Sequence, residues 1–374
     1  MPSHTLRRAA LPAALLVALS GCDVTESVGT TPACVSAAGA ADQVARLTAS
    51  ADVGEVVTAA NAFLATLSSS EQDAVLYDLT IDNANNWSNL PVGGMAARNG
   101  LRFDALSDTQ LDAALAVADA ALSDEGLETF NGIRAADEYL NTVLGANGYG
   151  DELYLIAFLG TPSTTDPWVL QLGGHHYALN FGFEGSVASP TPYFLGLEPL
   201  TFTLNGESYA PMAEHAETFT AIFDLLSSSE LSAAQLSGTY NTILLGPGED
   251  FTFPTQAGLQ VSTLTTAQQD AVTAAITAYV EASYDELADD LIATYTSAEA
   301  YAETFVGWSG NTDLTTSSSY LRIDGPRAWI EISGEGGVVV PNQIHYHSIW
   351  RDKTLDYGGV FSTGGGTSTE PGPC

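Results

Sequence analysis

The sequence predicts an α+β fold, with helices packed on a mostly antiparallel sheet. Three observations point there. A helix-start signal recurs four times, each time ahead of an Ala-rich run with apolar residues at helical spacing. Seven short runs rich in β-branched and aromatic residues are punctuated by Gly and Pro. The chain of 374 residues, less its two tails, leaves room for one large domain, expected over 41–360.

The helix signals are LSSSEQDAVL from Leu67, LSDTQLDAAL from Leu106, LSSSELSAAQ from Leu226 and LTTAQQDAVTAAI from Leu264. Each places Ser or Thr after Leu, with Glu or Gln three positions beyond the cap. In this capping box, a hydroxyl and a carboxyl or amide satisfy reciprocal backbone N–H groups. Further helices are expected over 41–67, 126–144, 212–226 and 284–305. ELYLIAFLG, PWVLQLG, HHYALNFGF, SYLRIDG, RAWIEIS, GGVVV and QIHYHSIW read as strands. Capped helix, helix, Tyr-led strand, Gly/Pro turn, Trp-bearing strand and His-bearing strand follow in the same order over 106–183 and 264–351. That order suggests an internal duplication, whose pseudo-twofold symmetry would bring the two His-bearing strands together.

The ends read as tails. MPSHTLRR is a short basic segment and the following Ala/Leu-rich stretch is too short to span a bilayer, as in a signal peptide over 1–21. It ends in Leu19-Ser20-Gly21-Cys22, which looks like a bacterial lipobox, so Cys22 is the expected lipid acceptor and membrane anchor. A linker over 22–40 and a low-complexity tail over 361–374 carry the other cysteines, Cys34 and Cys374. In an exported protein these two are candidates for a disulfide. The expected location is the bacterial cell envelope, lipid-anchored and facing periplasm or cell surface.

The formal charge is −35, from ten basic and forty-five acidic residues. So anionic a surface repels nucleic acid and anionic headgroups, which excludes DNA, RNA and basic-patch membrane binding as functions. Basic residues are scarce enough to be informative. Arg98, Arg327 and Arg351 are each read either as half of an ion pair or as a contact for an anionic group.

Four of the six histidines fall in two short windows, GGHHYALNF and HYHSIWRD. On a strand, His345 and His347 project from one face, the His-x-His arrangement many metal sites use. His175 and His176, adjacent on a strand, would point apart. The expected ligand set is therefore His345, His347 and one of the pair, preferably His176, with Asp352, Glu184 or Glu331 supplying a carboxylate. Three histidines with an open position suit zinc or copper. Asp352 and Glu184 are the catalytic candidates, and a His347–Asp352 pair could do acid–base work without metal. The competing reading makes all four histidines buried core residues. Trp87 and Asn89 in WSNLP read as a turn. No nucleotide-binding loop, His-Glu-x-x-His or Cys-x-x-Cys is present.

WSNLPVGGMAARNGLR, DPWVLQLGGHHYALNF with TPYFLG, SYLRIDGPRAWIEI and HYHSIWRDKTLDYG together resemble the uncharacterised bacterial family called domain of unknown function 3500. The resemblance runs from about Leu67 to Gly358. It implies exported, often lipid-anchored proteins and no particular activity. Lys353 departs from the small residue or Pro usual after this Arg-Asp pair. Three function classes follow: a metal-dependent enzyme, first of all a hydrolase; a non-catalytic lipoprotein that captures a metal or small solute; and an interaction lipoprotein with core histidines.

Overall fold

All four capping boxes form, and each starts a helix at the residue after its cap: Ser68 with Glu71, Ser107 with Gln110, Ser227 with Glu230, and Thr265 with Gln268. The structure is a computed structural model describing residues 52–92 and 98–361. Cys22, Cys34 and Cys374, with the expected signal peptide, lipid attachment and disulfide, lie outside the described residues. Among the described residues, no helix is long and apolar enough to cross a membrane.

The helices are α1 (Asp52–Thr66), α2 (Ser69–Val75), α3 (Ile81–Ala84), α4 (Asp108–Ala121), α5 (Asp124–Thr142), α6 (Ala213–Asp224), α7 (Ser228–Ala234), α8 (Thr266–Val280), α9 (Asp285–Tyr295) and α10 (Ala298–Tyr301). The strands are β1 (Leu76–Tyr77), β2 (Leu101–Arg102), β3 (Leu155–Leu159), β4 (Trp168–Gly174), β5 (Tyr177–Glu184), β6 (Val187–Ser189), β7 (Tyr193–Leu197), β8 (Phe202–Leu204), β9 (Glu207–Tyr209), β10 (Leu259–Gln260), β11 (Phe305–Ser309), β12 (Ser319–Asp324), β13 (Ala328–Gly336) and β14 (Ile344–Asp352). Twelve of them form one sheet in the order β1-β3-β4-β5-β7-β14-β13-β12-β11-β10, with β2 on β3 and β6 on β5. Every named pairing is antiparallel except β1 with β3. The α+β class read from the sequence is the class observed.

Two expected elements differ. The helix over 284–305 is broken into α9 and α10, because Ser297 turns its side chain to the Ala300 N–H and caps a new start. GGVVV is not a strand. Val339 and Val340 donate their N–H groups to the Glu198 carboxylate instead of a ladder.

The sheet has two unlike faces. Helices cover one, where Phe158, Leu170, Phe181, Leu195, Ile330 and Trp350 join the helical residues in the main core. Loop segments cover the other: Trp87 and Ile243 pack on Phe194 and Ile349. The loop-covered face is also where charge is buried. Arg351 is wholly enclosed and bonds Asp250 at 2.6 Å, Asp356 at 3.1 Å and the Leu245 and Gly246 carbonyls. Glu331 accepts the N–H groups of Leu244 and Leu245 and the Tyr320 hydroxyl.

The two stretches compared in the sequence share specific bonds. Gln110 Nε2 reaches the Thr66 carbonyl and Glu71; Gln268 Nε2 reaches the Leu225 carbonyl and Glu230. Phe103 N–H bonds the Tyr154 carbonyl as Val261 N–H bonds that of Thr304.

Arg351→Met leaves Asp250 and Asp356 buried without their cation. A loss of about 3–5 kcal/mol is expected from denaturant unfolding. His215, on α6, is buried against Tyr279, and burial lowers its pKa to about 4. Between its unfolded value near ~6.5 and about 4, the unfolded chain binds the extra proton, so stability falls as pH falls through that window. Measured from pH 7.5 to pH 5, the wild type should lose about 2 kcal/mol more than His215→Phe.

Candidate metal centre

A two-residue turn carries one half of the site. Gly174 pairs with Tyr177, so His175 and His176 are the turn between β4 and β5. They are not on a strand and do not point apart, because a turn breaks the alternation. Their rings stack with centroids 3.7 Å apart. His176 has φ +61°, a conformation that costs a non-Gly residue roughly 1–2 kcal/mol. Two backbone bonds hold it there: its N–H to the Asn89 carbonyl at 3.1 Å, and its carbonyl from the Gly196 N–H at 2.7 Å.

Strand β14 carries the other half. His345, His347, Ile349 and Arg351 alternate onto the loop-covered face, and His347 stands directly opposite Gly196 of β7. Gly196 is the spot over which the His176 ring lies: a Cβ there would sit 2.7 Å from His176 Cδ2. The missing side chain lets the turn fold across β7 and meet β14.

His176, His345 and His347 bring one ring nitrogen each to within 4.8 Å of one another. His176 Nε2 and His347 Nε2 are 3.4 Å apart. Two nitrogens each ~2.0–2.1 Å from a tetrahedral ion stand about 3.3–3.4 Å apart, so this spacing fits zinc. The opposite ring edges are tied. His347 Nδ1 lies 3.0 Å from Glu335 Oε1, and His345 Nδ1 lies 2.9 Å from the Gly336 carbonyl. Donation from Nδ1 to these acceptors leaves both Nε2 atoms with free lone pairs, the orientation that ligating histidines adopt. Beneath the cluster, His175 Nδ1 meets Asp137 at 2.6 Å, both buried, and the Tyr154 hydroxyl donates to the His175 carbonyl.

The electrostatics favour the neutral forms of His176 and His345. Burial, then the three neighbouring histidines, pushes His176 well below its ordinary pKa, and burial lowers His345. Burial alone would raise Glu335, but the His347 hydrogen bond and charge outweigh it and leave the carboxyl below its usual range. Burial raises Asp137 against the pull of His175. His176 and His345 are 5% and 3% exposed, so solvent reaches the cluster mainly along His347.

The carboxylates singled out from the sequence lie elsewhere. Asp352 is five residues beyond His347, about 16 Å at strand rise, and of the opposite parity, so it faces the helices. There it binds Arg327, the Tyr295 hydroxyl and the Thr354 and Leu355 N–H groups. Glu331 shares the face of Glu335 but stands four residues before it on β13 and is engaged with Leu244 and Leu245. Glu184 is exposed at the far end of β5. Arg98 is near the site: it donates to the Ser88 and Leu90 carbonyls and so steadies the segment whose Asn89 carbonyl holds His176. Burial lowers its pKa to about 10. Asn89 and Trp87 thus lie over the cluster's face, with Trp87 against Phe194 and Phe194 against His347.

Three contributors escaped the sequence reading: Glu335, Asp137 and Gly196. Glu335 had a signal, since Glu331, Ser333 and Glu335 alternate on one strand face and Glu335 pairs with His345. Gly196→Ala should displace the His176 ring, cost about 1–3 kcal/mol in denaturant unfolding, and shift the His176 ring resonances more than those of His215.

No curated protein and no solved structure matches the chain. The sequence model of a family described as "Protein of unknown function (DUF3500)" matches residues 49–359, and the chain belongs to that family.

Proposed function

We propose that this protein is a lipid-anchored envelope protein whose His176, His345 and His347 hold a divalent metal, zinc before copper, and that the centre works as a hydrolase. One observation carries the reading: three ring nitrogens converge while the opposite edges of His345 and His347 are bonded to Gly336 and Glu335. Here two rings are oriented so that their lone pairs meet a third.

The donor set is nitrogen-only, neutral and three in number, which suits zinc with a fourth position open to water or substrate. Zinc bound there would supply a water of pKa near ~7 and polarise a carbonyl or phosphoryl oxygen. The chain's own residues do the positioning. Glu335 orients His347 and, through its charge, strengthens that ring as a donor. Asp137 fixes His175, whose ring backs His176 and limits its rotation. A second reading, a non-catalytic metal carrier in the envelope, is favoured by one fact: two of the three ligands are nearly closed to solvent.

Protein purified without an affinity tag should contain about one zinc ion per chain by mass spectrometry, and His345→Ala/His347→Ala should contain essentially none while still folding. Substoichiometric metal in the wild type contradicts both metal readings. Glu335→Gln should weaken zinc binding by about 10–100-fold in a chelator competition. Turnover of ester or phosphoester substrates that is lost with the metal separates enzyme from carrier.

A further inference from the structure

A second site lies among the helices, on the far face of the sheet from the histidine cluster. A cavity of about 220 Å³ opens between the start of α5, the start of α6 and the end of α8. Glu125, Glu128, Glu214 and Glu281 line it, together with Ala278, Pro211 and His215. No Lys or Arg is among its lining residues. His215 is 5% exposed, and neither of its ring nitrogens has a hydrogen-bond partner among the described residues. A buried imidazole with both edges unsatisfied is costly, and native proteins rarely keep one.

The carboxylates divide by position. Glu125 and Glu214 stand in the first turns of α5 and α6, where a negative charge complements the helix N-terminus. Glu281 is the C-cap of α8, the end at which the macrodipole disfavours an acid. Burial raises its pKa, and Glu214 and Glu125 raise it further. Nothing on α8 compensates this charge, whereas a cation in the cavity would.

The arrangement is not that of a bare metal site. Among the described residues, the histidine cluster is the one group of three or more potential ligands that converges to coordination distance. The cavity acids come from three helices around a space larger than one ion, with alanine methyls and Pro211 between them. We propose that this cavity binds a short aliphatic diammonium compound. One ammonium donates to the neutral His215 ring and its flanking carboxylates, a second pairs with the acids across the cavity, and the methylene chain lies on the alanines and Pro211.

The test is calorimetric titration of the full chain with 1,4-diaminobutane in 150 mM-range salt, chosen to screen diffuse attraction to a chain of charge −35. Expected is a single site that weakens at least tenfold in Glu214→Gln/Glu281→Gln and in His215→Phe. It should be unchanged in Glu207→Gln/Glu299→Gln, whose acids are exposed elsewhere. The cavity acids are at the surface or only part-buried, so the first variant should fold even if His215→Phe does not. No saturable heat, equal weakening in both double variants, or tighter binding of calcium than of the diamine at this cavity would each overturn the proposal.

Discussion

One register holds the candidate centre together: Gly196 of β7 opposite His347 of β14. The β7–β14 pairing is the seam at which the β1-to-β7 part of the sheet meets the β14-to-β10 part. Gly196 also donates to the His176 carbonyl and leaves room for its ring. A slip of one residue would turn His345 and His347 to the helices and put a side chain beneath His176. The turn, the strand and the empty position therefore depend on one another. None of the three makes a cluster alone.

Three of the scarce cations serve the same face. Arg351 gathers Asp250 and Asp356, and Lys353 bonds Asp324 and the Gly325 carbonyl. Arg98 braces the segment that holds His176. In a chain with ten basic residues and forty-five acidic ones, at least these three are spent internally, tying loops to the sheet and to one another. The face opposite the helices is thus roofed by irregular chain held through charged hydrogen bonds, and the histidine cluster sits beneath that roof. The resulting burial keeps His176 and His345 neutral, the state in which imidazole can ligate.

Much of the fold was legible, because capping boxes and strand composition are local signals. Ser68, Ser107, Ser227 and Thr265 start helices for reasons contained within four residues. The His-x-His parity on β14 was equally local. The turn at His175–His176 was not: composition reads the pair as strand residues, whereas β4 pairs through Gly174 and the two histidines themselves turn. Asp352 misled because proximity in sequence hid its parity, which sends it to Arg327 and Tyr295. Gly196 and Asp137 reach the site through strand order and helix packing. Their separations in sequence carry no trace of that.

The histidine cluster has one competing explanation, a direct His176–His347 hydrogen bond across the same 3.4 Å. The two differ in what stands between the rings. An anomalous difference map at the zinc edge, from crystals grown with zinc, distinguishes them directly. A metal centre requires a single strong peak about 2.0–2.1 Å from one nitrogen each of His176, His345 and His347. A map with no peak there, and with the two Nε2 atoms still in mutual contact, would contradict it.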